Sequence, residues 1–207
     1  MFAFLKAVFL YHFRLYPNEV LLGGADMENG RSMANPAPLG LAAFGITLFL
    51  ASSSDANLWN RAGGPPVLAT ALIFGGIVSI LVSIMEFFRG DAIGVVFFGT
   101  FGAFWLTLRY YSTSGQQPAG IGGVFLMTFA AAAFIFWMAV MKRSMLHNIF
   151  GFFVTLTMAV QAYGNWGSGN LNAIKVAGWI GIVTALVALY MAAKALINDE
   201  YEKVILP

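Results

Sequence analysis

The sequence predicts an all-α integral membrane protein with six transmembrane helices, and three observations carry the prediction. The 207 residues are 59% hydrophobic and only 10% charged, whereas soluble domains carry about 25% charged residues. Mean hydropathy is +0.78. Apolar stretches near the roughly 20 residues that cross a bilayer core recur at about 37–53, 66–87, 92–110, 119–141, 145–163 and 174–196. Spanning helices satisfy their own backbone hydrogen bonds, and the short segments between them leave no room for a separate aqueous domain. The chain therefore divides into an N-terminal segment, 1–34, and one transmembrane domain, 35–207.

Residues 1–16 place Phe2, Leu5, Phe9, Phe13 and Tyr16 at helical spacing, interrupted by Lys6, His12 and Arg14. That pattern predicts an amphipathic helix lying in the membrane interface, not a span or a signal-peptide core. Residues 17–34, with Pro17, Gly23, Gly24 and Gly30, read as a polar linker.

The first span opens with Asn35-Pro36-Ala37-Pro38-Leu39-Gly40-Leu41. Asn35 is suited to cap the helix, and Pro36 fits the first helical position, where its missing N–H costs nothing. Unpaired N–H groups and the helix dipole leave a partial positive charge there. Beside an apolar path such an end can receive a small anion; a helix start with no ligand is the competing reading.

The second span holds Gly75-Gly76 and ends at Glu86, with Arg89 at i+3 as an ion-pair partner. This pair reads as a helix-end anchor, with gating or proton coupling as the alternative. Gly99 with Gly102, Gly122-Gly123 and Gly178 with Gly181 favour close helix packing in the later spans. Gln117-Pro118-Ala119-Gly120 before the fourth span echoes the opening of the first, a weak sign of two inverted three-helix repeats. Ser52 to Pro65, Ser112 to Pro118 and Gly164 to Asn172 read as polar outer loops.

If the termini share one side, that side holds 8 of the 11 basic residues, leaving only Arg61, Arg109 and Lys175 opposite. The positive-inside rule then places both termini in the cytoplasm of a multi-pass cell-membrane protein in contact with lipid. The small net charge of +2 gives no nucleic-acid footprint.

Catalytic chemistry finds little support. There are no cysteines and two histidines, His12 and His147, both read as interfacial. No acid pair, metal-ligand cluster or nucleophile with a base is visible, so no catalytic residue, cofactor or metal is expected and the chain reads as a non-enzyme. The polar groups within or at the ends of the spans, among them Thr47, Thr155 and Asn165, are candidates to line a path, although Ser and Thr often return their hydrogen bond to the helix.

The run Asn35 to Leu41 followed by Ala42-Ala43-Phe44-Gly45 resembles the signature of the acetate uptake transporter family, also called the acetate/succinate permease family. Three further stretches resemble it in order: Phe74-Gly75-Gly76 with Met85 to Asp91, Gly102-Ala103-Phe104-Trp105-Leu106, and Ala177 to Gly181 with the tail from Asn198 to Pro207. The resemblance implies transport of small monocarboxylates, acetate first, by a channel-like or proton-coupled route through each protomer of a homohexamer. With the helix start and the polar groups named above, it gives a candidate substrate pathway at Asn35, Pro36, Pro38, Gly40, Thr47, Glu86, Trp105, Thr155 and Asn165. It also implies a hydrophobic constriction at Phe44, Phe101 and Val154, with Phe101 where tyrosine is usual and Val154 where leucine is usual. Ser79 stands where glutamine is common. A channel for another small solute (succinate, lactate or a bicarbonate-like anion) and a structural or sensory membrane protein are the alternatives.

Overall fold

A computed structural model describes residues 34–59, 64–114 and 120–207. The expected interfacial helix and linker of the N-terminal segment, His12, and the Gln117-Pro118-Ala119 part of the repeat lie outside these residues. Among the described residues there are six helices long and apolar enough to cross a membrane. They are α1 (Ala37–Asp55), α2 (Gly64–Arg89), α3 (Ala92–Thr113), α4 (Ile121–Val140), α5 (Met145–Gly164) and α6 (Leu171–Glu200).

Local chemistry sets the helix ends. Asp91 caps α3 by accepting from the N–H groups of Ile93 (3.1 Å) and Gly94 (3.3 Å). Ser144 caps α5 through the N–H of His147 (3.3 Å), and Asn170 caps α6 through those of Asn172 and Ala173 (both 3.1 Å). Each side chain satisfies donors that a helix start leaves unpaired. Asn170 is why α6 begins at Leu171, before the apolar run expected from residue 174.

Each helix packs on two neighbours, so the six close into a ring in the order α1, α2, α3, α4, α5, α6. Small residues set the tightest seam. A Cβ added to Gly181 would lie 2.1 Å from Ser52 Oγ, and one added to Gly178 would lie 2.4 Å from the Ala56 nitrogen. Ser52 and Ser53 thus belong to α1 and are buried, which corrects the expected loop from Ser52. Their hydroxyls are small enough for the α1–α6 seam, and that of Ser53 is satisfied by the carbonyl of Phe49 at 2.6 Å.

The second span is not uniform. Residues Ala71–Val78 wind as a π-helix inside α2, a widening that sequence periodicity did not foresee. Gly75 and Gly76 lie directly beneath Trp105 and Leu106 of α3, so the widened turn meets its neighbour with no side chain between. Such segments recur at functional sites.

Candidate functional site

Alternating helix directions bring the start of α1, the end of α2, the start of α3, the end of α4, the start of α5 and the end of α6 to one end of the ring. There they enclose a cavity of about 50 Å³. Ala37 and Leu41 of α1 line it, with Phe97 of α3, Phe136 of α4, Phe150 of α5 and Met191 of α6. Its polar wall is Glu86, Asp91, Arg143 and His147. Basic Arg89, Lys142, Arg143, Lys194 and Lys203 belong to this end, against Arg109 and Lys175 at the other.

Below the cavity the ring is closed by aromatic side chains. Phe44 meets Phe97, Phe101 and Phe150 with ring centroids 5.2, 5.6 and 5.8 Å apart. Phe97 meets Phe101 at 4.9 Å and Phe136 at 4.5 Å. Tilted and edge-on contacts at such separations are favourable aromatic geometry. Val154 is buried in the same core cluster. The two aromatics expected at a constriction are therefore in contact, and Phe97, Phe136 and Phe150 join them. Periodicity could not single those three out, because every span is apolar on all sides.

The helix start at Asn35 works differently from a bare anion seat. Asn35 Oδ1 accepts from the N–H of Ala37 at 3.1 Å, as expected of a cap. The same oxygen accepts from Arg89 Nη1 at 2.5 Å. Pro36 and Pro38 have no N–H, and the N–H of Gly40 goes to the Pro36 carbonyl at 3.1 Å. Few donors remain for a ligand, and the positive character of this end lies in Arg89 and the dipole. Gly40 does not open a path either, since the ring of Phe98 occupies the space a Cβ would take.

Glu86 was expected to be an interfacial anchor. Instead its side chain is fully buried, and Arg89 approaches one oxygen, Oε2, only to 3.5 Å. The other oxygen, Oε1, has no hydrogen-bond partner among the described residues. Gly94 of α3 makes the room, because a Cβ there would stand 2.8 Å from Glu86 Cγ. Asp91, in the turn between α2 and α3, is paired far better. Arg143 reaches its two carboxylate oxygens at 2.6 and 3.2 Å. Burial alone would raise the Asp91 pKa, but the bonds from Arg143, Gly94 and Ile93 outweigh it and hold the carboxyl below its ordinary value. His147, read from sequence as interfacial, is part of the cavity wall, with Nδ1 2.7 Å from Ser144 Oγ.

The remaining sequence candidates lie elsewhere. Thr47 and Thr155 spend their hydroxyls on the carbonyls of Ala43 and Gly151, each at 2.8 Å, so neither stands as a free polar group. Trp105 is buried over Gly75, and its indole N–H has no partner among the described residues. At the opposite end Asn165 Nδ2 donates to the Gln161 carbonyl at 2.8 Å, and Gln161 Nε2 donates to Asp55 Oδ2. These polar groups lie at the other end of the ring, well separated along the helices from Glu86.

The profile of the GPR1/FUN34/yaaH family matches residues 20–207. The chain belongs to this family. The succinate-acetate/proton symporter SatP of Escherichia coli K12 is 30% identical over 181 residues, covering 84% of this chain and 95% of that relative. Acetate permease A of Emericella nidulans is 26% identical over 197 residues, covering 86% of this chain and 66% of its own length. The solved structure of the bacterial acetate channel SatP superposes with a TM-score of 0.79 at 30% identity, over 85% of this chain and 99% of that one. These matches bear out the family expected from the four motifs and the six-helix membrane fold.

Proposed function

We propose that each protomer conducts small monocarboxylates, acetate foremost, between the Glu86 cavity and the Asn165 end. The cavity carries this reading, because it is small, floored by aromatic rings and set at the more basic end of the ring, with Arg143 in its wall. A water-sized group needs roughly 10–15 Å³ of such space, so about 50 Å³ suits the four heavy atoms of acetate better than the eight of succinate. The names of the relatives, a succinate-acetate/proton symporter, an acetate permease and an acetate channel, have acetate in common and support it as the first substrate.

The barrier is energetic. A carboxylate is costly near the bilayer centre, yet with a glutamate-like pKa only roughly 0.2% of the solute is neutral at pH 7. The ring offers cations at its mouth and a short apolar waist at Phe44, Phe101 and Val154. The bias of Arg89, Lys142, Arg143, Lys194 and Lys203 toward the cavity end supports placing that end, and both termini, in the cytoplasm of the cell membrane. The many exposed apolar side chains on the outer face, Phe88, Ile135 and Leu186 among them, suit lipid and further protomers, and the family resemblance supports a hexamer. Uptake of labelled acetate by proteoliposomes, above that of protein-free vesicles and reduced by excess propionate, tests the reading. Uptake equal to protein-free vesicles sinks it.

A further inference from the structure

We infer that Glu86 carries the proton that accompanies each carboxylate through this protein. The inference rests on the transport reading above and specifies how the charge of the solute is dealt with. Glu86 Oε1 is the one carboxylate oxygen of the cavity wall with no partner among the described residues, on a side chain with no solvent exposure.

Among the described residues, the charged and titratable neighbours Arg89, Arg143 and His147 each make a closer contact elsewhere. Arg89, one turn on, holds Asn35 at 2.5 Å and Glu86 only at 3.5 Å. Arg143, from the turn after α4, makes both its short bonds to Asp91. His147 of α5 directs Nδ1 to Ser144. Lys194 stands on α6 at the same end, beyond the cavity wall. Among the described residues no cation makes its shortest bond to Glu86, and its side chain forms part of the cavity wall, where an unpartnered carboxyl oxygen can exchange a proton with an occupant that it turns to meet. Buried acids in membrane helices commonly serve such relays.

The step balances simply. Oε1–H of the Glu86 carboxylic acid donates to an oxygen of acetate in the cavity. Transfer breaks that O–H bond and forms the O–H bond of acetic acid, leaving Glu86 as carboxylate. Water at the cavity mouth then returns a proton to Glu86. The species that meets the rings of Phe97 and Phe150, which line the same cavity, is the neutral acid, and the apolar waist no longer faces a charge. Net movement is one proton with one carboxylate, which is electroneutral.

The test uses the full chain in proteoliposomes, with labelled acetate and a membrane potential clamped at about 100 mV by a potassium gradient and valinomycin. A lone anion crossing that potential would have its equilibrium distribution shifted by roughly 50-fold. Wild-type flux should not respond to the potential. Glu86→Gln keeps the shape but not the exchangeable proton, and should lower flux by at least about tenfold or render what remains potential-sensitive. Glu86→Asp keeps a carboxyl and should retain potential-independent flux, and it decides the matter if the glutamine variant does not fold. Potential-sensitive wild-type or Glu86→Asp flux, or wild-type behaviour in folded Glu86→Gln, overturns the role of Glu86 while leaving transport intact. Absence of wild-type flux above protein-free vesicles overturns the transport reading instead.

Discussion

Arg89 Nη1 lies 2.5 Å from Asn35 Oδ1, so the last turn of α2 is tied to the cap of α1 across 54 positions of sequence. The same oxygen holds the N–H of Ala37. One side chain thus starts a helix and keeps a guanidinium from closing on Glu86. Asn35→Ala should remove the cap, at a cost of about 0.5–2 kcal/mol, and release Arg89 toward Glu86. We expect a lower unfolding temperature in detergent together with slower acetate uptake. Lost stability with unchanged uptake per folded protein would confine Asn35 to a structural role.

The Asp91–Arg143 bridge joins the start of α3 to the turn after α4. Because the folded carboxyl titrates below its ordinary value, it contributes stability at pH above the unfolded value of about 3.9, and that contribution fades as pH falls through the lower folded value. Asp91→Asn keeps a capping side chain but loses the charge. Its unfolding temperature should fall below wild type at neutral pH, and the two should converge under strongly acid conditions. A constant gap at all pH values would assign the loss to capping alone.

At the waist, Val154→Ala should widen the apolar path and raise propionate and lactate flux relative to acetate. A methylene discriminated in an apolar pocket is worth about 1–3 kcal/mol, so a change on the order of tenfold in relative rate is expected. Phe44→Ala should act in the same direction, since its ring touches Phe97, Phe101 and Phe150. Phe101→Tyr adds a hydroxyl and should alter acetate handling more than size selection. Unchanged relative rates in both alanine variants would place the waist elsewhere.

Orientation is open to a simple labelling experiment. Ser114, at the end of α3, and Lys142, after α4, are both exposed and belong to opposite ends of the ring. In intact cells a cysteine at 114 should react with an impermeant thiol reagent and one at 142 should not. The opposite pattern would invert the protein in its membrane.

Helix number was legible because the signal was strong, each apolar run being long, whereas the caps Asp91, Ser144 and Asn170, which set the starts of α3, α5 and α6, show themselves only in the structure. The start at Asn35-Pro36 was legible too. What joins one helix to another was not. Arg89 with Asn35 and Arg143 with Asp91 are separated by more than 50 positions, and nothing in local spacing pairs them. The burial of Glu86 depended on Gly94, a glycine whose purpose appears only when α2 and α3 are packed. Periodicity likewise could not distinguish Phe97 and Phe150, which face the centre, from Phe88, which faces outward. The π-helical segment was hidden because Gly75 and Gly76 are compatible with an ordinary helix.

The most direct test of the central claim, that carboxylates pass through the cavity inside the ring, is labelled acetate flux at pH 8 in proteoliposomes of wild type and Ala37→Trp. Ala37 lines the cavity, and an indole there would fill a space of this size. At pH 8 the neutral acid is on the order of 0.02% of the total, which suppresses leakage through lipid. The account predicts that wild type transports well above protein-free vesicles and that Ala37→Trp, folded and inserted to the same extent, falls to their level. Wild-type flux in Ala37→Trp would contradict it.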